Sequence, residues 1–398
     1  MLLTDTPTAV QLDMNASRRK VIVVVAMLDS SHVAKWLRSV AYQQYQIRLF
    51  PSSPHRRLHP DIARLIADQT SGVSLSSMLN VLALPLWVVD NIRFLRTRQR
   101  LLTRLCDAAQ PDVLHAIEFQ HSAYLAEPVV QNRPVTFYVT NYGSDLYWFG
   151  QQKKHRSRID AVLRRANFYS AECQRDVELA RSFGYKGKVF PVRPNAGGIP
   201  ETLFDSIEVS QPSSRRVIAI KGYTNFVGLA QRALKAVVVR RKELRHFKIV
   251  VYSATYRARL VVVWMRLRYQ INIHSIPKFR MSQPEVVQMM STAALYVGVS
   301  ESDGLSTSML EALSCGAFVI QSGTSCCVEV VEHGEGAYVL RNNSVQEIVG
   351  ALDYFLSGVG DRWNRTGMSN AGRLRDMLKA EALAEHARNC YQACLAAH

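Results

Sequence analysis

The chain has 398 residues, of which 48% are hydrophobic and 20% are charged, a composition typical of a globular protein. This length is too great for one ordinary core, so we expect two domains of about 200 residues or less. Lys and Arg number 49 against 32 Asp and Glu, giving a formal charge of +17. Such a balance restricts the partners to nucleic acid, anionic membranes or anionic substrates.

The cysteines and apolar stretches exclude two further classes. Seven cysteines without a paired C-x-x-C spacing favour reduced thiols of a cytoplasmic protein over a disulfide framework. Cys390 and Cys394 form half a metal site with no matching pair, so we predict no metal centre. Residues 1–19 lack the apolar core of a signal peptide and are predicted to be a disordered tail. The longest apolar stretch, residues 78–89, is too short to cross a bilayer.

The first elements predict a βαβ unit. Residues 20–26 and 46–50 are apolar enough for buried strands, and the segment between them carries apolar residues at helical spacing. Residues 29–32 offer a cap for that helix. Two positions remain open for His32, which either faces a cleft or hydrogen-bonds the start of the helix.

Two basic and apolar segments interrupt the regular alternation. The first follows the apolar run and contains Arg93, Arg96, Arg98, Arg100 and Arg104. This pattern fits either a helix lying on an anionic membrane or an ordinary helix with one buried and one solvated face. The second segment, residues 256–268, is apolar all round at its centre, so we predict that it is buried.

Polar residues follow two further predicted strands, residues 111–117 and 134–140. The first strand leads into Glu118 and His121, and the second leads into Asn141, Gly143 and Asp145. In α/β folds the carboxyl ends of the strands carry the chemistry. These residues are therefore expected to line a binding cleft.

The remaining chain alternates strand and helix and predicts a second doubly wound unit. A strand at 167–173 and a Pro-Asn-x-Gly-Gly turn, with Asn195, Gly197 and Gly198, close the first domain. The predicted elements that follow are strands 216–220, 247–252 and 271–274, helix 282–290, strand 337–340, helix 344–356, and terminal helices 361–377 and 379–396.

The central feature of the second unit spans residues 293–320. A buried strand, a polar loop, a helix and another strand follow one another, with Ser306, Thr307 or Ser308 as caps and Gly316 as a left-handed stop. The unpaired N–H groups at such a helix start favour an anion. Asp303 and Glu311 add carboxylates that can accept protons from hydroxyl groups of a sugar and a ribose.

This block, Asp303-Gly-Leu-Ser-Thr-Ser-Met-Leu-Glu311, together with residues 312–320 and 329–336, resembles the donor-site signature of the retaining family 4 glycosyltransferases. That family has two facing Rossmann-like domains, the GT-B fold. The resemblance implies that Asp303 contacts the donor sugar and Glu311 the ribose. The expected diphosphate ligands are the N–H groups of Gly304, Leu305, Ser306 and Thr307. The family usually has Glu where this chain has Asp303.

The resemblance also extends to the first domain. It implies catalytic contacts for His121 and Asp145 with the sugar or the acceptor. It further implies acceptor or interdomain roles for a set of loop residues, namely Glu118, Asn141, Gly143, Asn195, Gly197 and Gly198. No Asp-x-Asp occurs in the chain, so we expect a metal-independent site without a cofactor.

The sequence departs from the family at the basic pair that neutralises the leaving diphosphate. Members usually carry Arg and Lys five residues apart after the first strand of the second domain. This chain has Tyr223 and Gly228 at those positions. Lys221 and Arg232 are the candidate replacements.

These observations predict a GT-B protein with a tail (1–19), an acceptor-side domain (20–199), a nucleotide-sugar domain (200–375) and a helix packing back across the interface (376–398). The expected activity is retaining transfer from a nucleotide sugar to a glycan or lipid-linked acceptor in polysaccharide or lipopolysaccharide synthesis. The expected location is cytoplasmic, on the inner face of the membrane. A nucleotide-sugar epimerase and an inactive scaffold remain alternatives, whereas the lack of a recognised module argues against nucleic-acid binding.

Overall fold

The computed structural model describes residues 18–55, 57–93, 96–131, 133–194, 197–206, 214–278, 280–358 and 361–397. The predicted tail lies almost wholly outside these ranges, as does Asn195. None of the helices within these ranges combines the length and the apolar character needed to span a bilayer.

The first domain is a parallel sheet with strand order β3-β2-β1-β4-β5-β6-β7. Its strands are Val21–Ala26 (β1), Gln46–Pro51 (β2), Val73–Ser74 (β3), Val113–Ile117 (β4), Thr136–Thr140 (β5), Phe168–Ser170 (β6) and Lys188–Val189 (β7). Its helices are Ser31–Val40 (α1), Pro60–Ala67 (α2), Ser77–Arg93 (α3), Thr97–Ala109 (α4), Tyr124–Val130 (α5), Ser144–Tyr147 (α6), Lys153–Arg165 (α7) and Gln174–Ser182 (α8). Every residue of β1 is buried, as expected for a strand covered on both faces.

The second domain is a parallel sheet with order β12-β11-β8-β13-β14-β15, preceded by a short helix and carrying a two-stranded hairpin. Its strands are Val217–Lys221 (β8), Thr224–Asn225 (β9), Gly228–Leu229 (β10), Lys248–Ala254 (β11), Ile273–Pro277 (β12), Ala293–Gly298 (β13), Phe318–Ser322 (β14) and Ala337–Leu340 (β15). The remaining helices are Glu201–Asp205 (α9), Ala230–Val239 (α10), Tyr256–Tyr269 (α11), Gln283–Thr292 (α12), Thr307–Ser314 (α13), Val345–Ser357 (α14), Asp361–Met377 (α15) and Ala380–Ala396 (α16). Two Rossmann-like domains are therefore confirmed.

The last two helices join the domains. Helix α15 packs on α13 of the second domain, whereas α16 packs on α1 of the first. Between them, the Ile199 N–H donates to Leu378 O, and Ala380 N–H donates to Ile199 O. Gly198 lies at this crossing with φ +68°, and a Cβ on it would lie 2.6 Å from Leu378 O. The close backbone approach explains the glycine at this position.

The structure corrects the prediction for residues 256–268. They form α11, but only Ala258, Val262 and Met265 of that helix are buried. Val261 is partly buried, and five further apolar residues of the helix are exposed, with Leu267 78% exposed. The all-round apolar pattern was therefore misread as burial, because a sequence cannot show which face of a helix remains uncovered.

The prediction of reduced thiols throughout is also wrong. Cys173 at the start of α8 and Cys326 after β14 form a disulfide between the two domains, with their Cα atoms 6.2 Å apart. The two residues are 153 positions apart in sequence, so spacing gave no signal of the pair. The other cysteines are free and buried.

Candidate functional site

The candidate site lies where the loops at the carboxyl ends of the two sheets meet. Gly143, after β5, approaches the loop after β13 so closely that a Cβ on it would lie 2.2 Å from the Gly304 Cα. The Ser302 hydroxyl donates to the Ser144 hydroxyl at 3.0 Å across the same contact. The sequence-predicted residues of the two domains are thus brought together.

Helix α13 begins at this contact. Ser306, one of the three predicted caps, occupies the N-cap position, although its side chain makes no capping hydrogen bond to the helix. Gly316 ends the segment with φ +74°, in agreement with the predicted left-handed stop. Gly304 N–H donates to the Asp303 carboxylate at 3.0 Å. The start of α13 therefore presents Asp303, Leu305, Ser306 and Thr307 around one loop.

Lys221 supplies a positive charge beside this loop. It ends β8, and its Nζ lies 3.5 Å from an Asp303 carboxylate oxygen. Burial lowers the pKa of the Lys221 ammonium, but the combined effects of Asp303, Tyr296 and Tyr223 outweigh burial and raise that pKa above its usual value. Arg232 instead pairs with Glu301 at 3.1 Å. Of the two candidate cations, Lys221 is the one beside Asp303.

Glu311 lies in the middle of α13, and its side chain is buried, with the residue 6% exposed. It accepts a hydrogen bond from the Gln283 amide at 3.4 Å. Burial raises the pKa of the Glu311 carboxyl, and the charge of Lys35 opposes that rise. Lys35 and Gln283 could not be predicted as neighbours of Glu311. Lys35 lies in α1 of the first domain and Gln283 lies in α12, so their proximity depends on how these helices approach α13.

His32 lies in the first turn of α1, beside the loop that follows β5. Its ring packs against Tyr142 with centroids 5.5 Å apart. Burial and the charges of Lys35 and Lys221 lower the pKa of His32 to about 4, so the ring is neutral at pH 7. Exposure of His32 to the cleft stays a prediction.

Asp145 holds two loops of the first domain together. Its carboxylate accepts hydrogen bonds from the backbone N–H of Phe119, at 3.2 Å, and of Tyr142, at 3.0 Å. It is 4% exposed, and burial together with the Glu118 charge raises the pKa of its carboxyl well above the usual value. These contacts fit a positioning role, and direct contact with a sugar stays a prediction.

His121 is more accessible, with 47% of its side chain exposed. Its Nδ1 lies 3.2 Å from the Glu118 carboxylate, and this hydrogen bond raises the pKa of His121. Glu118 also accepts from the His121 backbone N–H at 2.8 Å. The imidazole is thus oriented by a buried carboxylate while its other edge stays available to a ligand.

Two of the remaining predicted loop residues make packing contacts. Asn141 is fully buried and donates to Asp176 at 2.8 Å. Gly197 has φ +69° and lies against Lys35, where a Cβ would come within 2.4 Å of the lysine side chain. The burial of Asn141 fits a structural role, whereas Gly197 is partly exposed and its acceptor or interdomain role stays a prediction.

The loop that lacks the family's Arg and Lys forms the β9–β10 hairpin. Phe226 at its turn stacks on Trp148 of the first domain, with ring centroids 5.6 Å apart. Phe149 approaches the same ring edge-on at 5.7 Å. An aromatic contact between the domains therefore occupies the region where the family's basic pair is expected.

Two charged residues join the domains and were not singled out as site residues from the sequence. Glu329 of the second domain accepts hydrogen bonds from the N–H groups of Gln174 and Arg175, at 2.7 and 3.0 Å, at the start of α8. The Arg175 guanidinium donates to the carbonyl oxygens of Thr324 and Asp303. With the disulfide, these bonds hold the Asp303 loop against the first domain.

Three solved structures share this fold at low sequence identity. Sucrose-phosphate synthase from Thermosynechococcus elongatus has a TM-score of 0.66 and 13% identity, covering 96% of this chain and 100% of that one. HepE of Anabaena, in complex with UDP-glucose, has a TM-score of 0.66 and 12% identity, covering 94% and 99%. A Listeria monocytogenes protein assigned as a UDP-N-acetylglucosamine 2-epimerase has a TM-score of 0.58 and 10% identity, covering 92% and 94%.

The sequence itself matches two families in two segments. Residues 21–173 match the family described as glycosyl transferase 4-like, and residues 235–375 match glycosyl transferases group 1. No curated protein matches the sequence. The two family matches take in most of both domains, and the chain is a family 4-like glycosyltransferase with the GT-B fold.

Proposed function

We propose that this protein transfers a sugar, with retention of anomeric configuration, from a nucleotide-diphosphate sugar to a glycan or lipid-linked acceptor. The observation that carries the proposal is the charge arrangement at the start of α13. Asp303 lies beside Lys221, and the buried Glu311 lies near Lys35, all in the cleft between the domains. A diphosphate flanked by two polyols, a sugar and a ribose, fits this alternation of positive groups and carboxylates.

Each group has a proposed role in holding the donor. The N–H groups of Leu305, Ser306 and Thr307 face the diphosphate, where the positive end of the helix dipole favours an anion. The predicted contact of the Gly304 N–H requires that this group leave the Asp303 carboxylate, to which it donates in the structure. Asp303 accepts a hydrogen bond from a sugar hydroxyl, and Glu311 accepts from the ribose. Lys221 takes over the role of the family's basic pair. HepE was solved with UDP-glucose, which makes that compound the first donor to test.

In the proposed reaction the bond between the anomeric carbon and the diphosphate oxygen breaks, and the acceptor oxygen bonds to that carbon on the same face. The acceptor proton passes to the departing phosphate, so no protein nucleophile takes part. Lys221 and the start of α13 stabilise the negative charge that develops on the diphosphate. Because these groups supply the positive charge, we propose neither a metal ion nor a cofactor.

Donor binding is tested by a thermal-shift screen across nucleotide sugars, with wild type and Glu311→Ala compared. We expect one nucleotide sugar to raise the unfolding temperature of the wild type and to lose this effect in the variant. Glu243→Ala is the matched control, because Glu243 is an exposed glutamate outside the cleft. An unchanged shift in Glu311→Ala would contradict the proposed site.

An epimerase is the second candidate, because one similar structure carries that assignment. An epimerase changes the donor without an acceptor. Incubation with the donor alone, followed by chromatography of the nucleotide sugars, separates the two activities. A new nucleotide sugar would favour the epimerase, whereas an intact donor is expected of the transferase.

We further propose that the acceptor is a polysaccharide or lipopolysaccharide precursor at the inner face of the cytoplasmic membrane, reached through the basic segment of α4. Arg96, which precedes the first residue of α4, and Arg100 and Arg104 within it are exposed. Arg98 is not available, because it pairs with Asp90 and donates to Ser52 O. The side chain of Arg93 lies outside the described residues. Replacing the three exposed arginines with glutamine should reduce binding to anionic vesicles.

A further inference from the structure

Helix α11 of the second domain carries an uncovered apolar stripe that the proposed transfer reaction does not use. The stripe consists of Tyr256, Leu260, Val263, Trp264 and Leu267, which are between 52% and 78% exposed. Their spacing places them on one side of the helix. The opposite side packs on β11 and β12 through Ala258, Val262 and Met265. The helix thus already buries one apolar face against the sheet, and the stripe is a second apolar face that is exposed.

The charges on α11 are all of one sign. Arg257 and Arg259 lie at its start, Arg266 and Arg268 lie near its end, and all four are exposed. The helix contains no Asp or Glu. Among the described residues, none of these arginines forms an ion pair, although Arg268 lies over the Tyr269 ring at 5.3 Å. The complementary partner for an apolar stripe flanked by guanidinium groups has an apolar interior and an anionic surface.

We propose that α11 is a docking surface for an anionic lipid bilayer. The stripe would enter the boundary between headgroups and acyl chains, and the arginines would contact the lipid phosphates. Trp264 and Tyr256 suit that boundary, because each combines an apolar ring with a polar group. A second copy of the chain fits poorly, since pairing α11 with itself would bring two sets of guanidinium groups together.

This surface is distinct from the basic segment of α4, which belongs to the first domain. Two contacts, one in each domain, would bind together more strongly than either alone, because the second contact forms without a new loss of translational freedom. Neither sugar transfer nor donor binding is needed for the proposal. Its test is therefore independent of the proposed transfer reaction, and the variants of α11 distinguish this surface from the α4 arginines in the shared vesicle assay.

The experiment is flotation of the full chain with vesicles of phosphatidylcholine, with and without phosphatidylglycerol, at low salt. Wild type is compared with the triple variant Leu260→Ser, Trp264→Ser and Leu267→Ser, whose positions are more than half exposed and should tolerate polar residues. Met368→Ser is the matched control, because Met368 is an exposed apolar residue of the same domain, 49% exposed, outside α11. Circular dichroism and thermal melting check that each variant is folded.

We expect wild type and Met368→Ser to float with the anionic vesicles and not with phosphatidylcholine alone, and the triple variant to bind roughly tenfold less. The proposal is overturned if wild type does not float, or if the triple variant floats as well as wild type. It is also overturned if gel filtration shows a wild-type dimer that the triple variant converts to a monomer, because a second copy would then cover α11.

Discussion

At the scale of single residues, the closest approach between the domains depends on two glycines. Gly143 has φ +63° and Gly304 lies directly against it. A side chain at either position would push the Asp303 loop away from the first domain. The sequence identified both residues as site candidates, but only the structure shows that they contact each other.

Gly143→Ala should therefore weaken donor binding and stability together. The backbone conformation of Gly143, φ +63° and ψ −70°, costs about 1–3 kcal/mol for a residue with a Cβ, and the new methyl group would lie 2.2 Å from the Gly304 Cα. We expect a lower denaturant midpoint and a smaller thermal shift with the donor nucleotide. Urea unfolding and donor titration measure the two effects.

Gly350→Ala is the control for this prediction. Gly350 lies inside α14, and a Cβ there would have no neighbour within 4 Å. Alanine in a helix interior is favoured over glycine by roughly 0.5–1 kcal/mol, so this variant should be slightly more stable with unchanged donor binding. Equal behaviour of the two alanine variants would mean that the close approach of Gly143 and Gly304 is not important.

At the scale of secondary-structure elements, α13 and α11 show what sequence patterns can and cannot reveal. The approximate extent of α13 could be predicted, because the hydroxyl residues at its start, an apolar stripe and Gly316 all belong to the segment itself. The exposure of α11 could not, because it depends on which elements cover the helix. The neighbours of Glu311 were missed for the same reason, since Lys35 reaches it from another domain.

Helix α16 forms a buried hydrogen-bond network with the first sheet. The Trp36 indole N–H lies 3.1 Å from the Tyr391 hydroxyl oxygen, and the same hydroxyl lies 2.9 Å from His115 Nδ1. The other imidazole nitrogen, Nε2, lies 2.8 Å from the Thr140 hydroxyl. The pKa of His115 is lowered well below its usual value by burial, so the ring is neutral. The network therefore links α1, β4, β5 and α16 through neutral groups.

Tyr391→Phe should destabilise the protein by about 1–3 kcal/mol, because it leaves polar groups of Trp36 and His115 buried without a partner. The aromatic ring contacts are kept, so the loss is confined to the hydroxyl. Chemical denaturation measures the difference. Tyr256→Phe, at a residue that is 70% exposed, should leave stability unchanged and serves as the comparison. A loss below about 0.3 kcal/mol for Tyr391→Phe would show that the network contributes little.

At the scale of the whole molecule, the two domains are joined by polar contacts, the aromatic contact at Phe226 and the Cys173–Cys326 disulfide. The fold class and both doubly wound units could be predicted from the alternation of strands and helices. The cross-link could not, since it depends on how the finished domains face each other. The contact of the domains is thus a property of their three-dimensional arrangement.

Reduction of the disulfide should lower the thermal unfolding temperature. The bond restricts the unfolded chain across a separation of 153 residues, a constraint of about 4–5 kcal/mol in the chain-entropy account. Calorimetry with and without dithiothreitol measures the change. Cys173→Ser is the control, because the reductant should then have no effect. If the reductant changes wild type and variant equally, another group is responsible.

The position of α16 has a consequence for how the protein is made. Ala387, Cys390, Tyr391 and Cys394 belong to the apolar core on one side of the first sheet. While the ribosome is still translating the second domain, the nascent first domain cannot yet cover that side. Its exposed apolar surface is then available to chaperones until the last helix emerges. The half of the molecule that is synthesised first is therefore the half that is completed last.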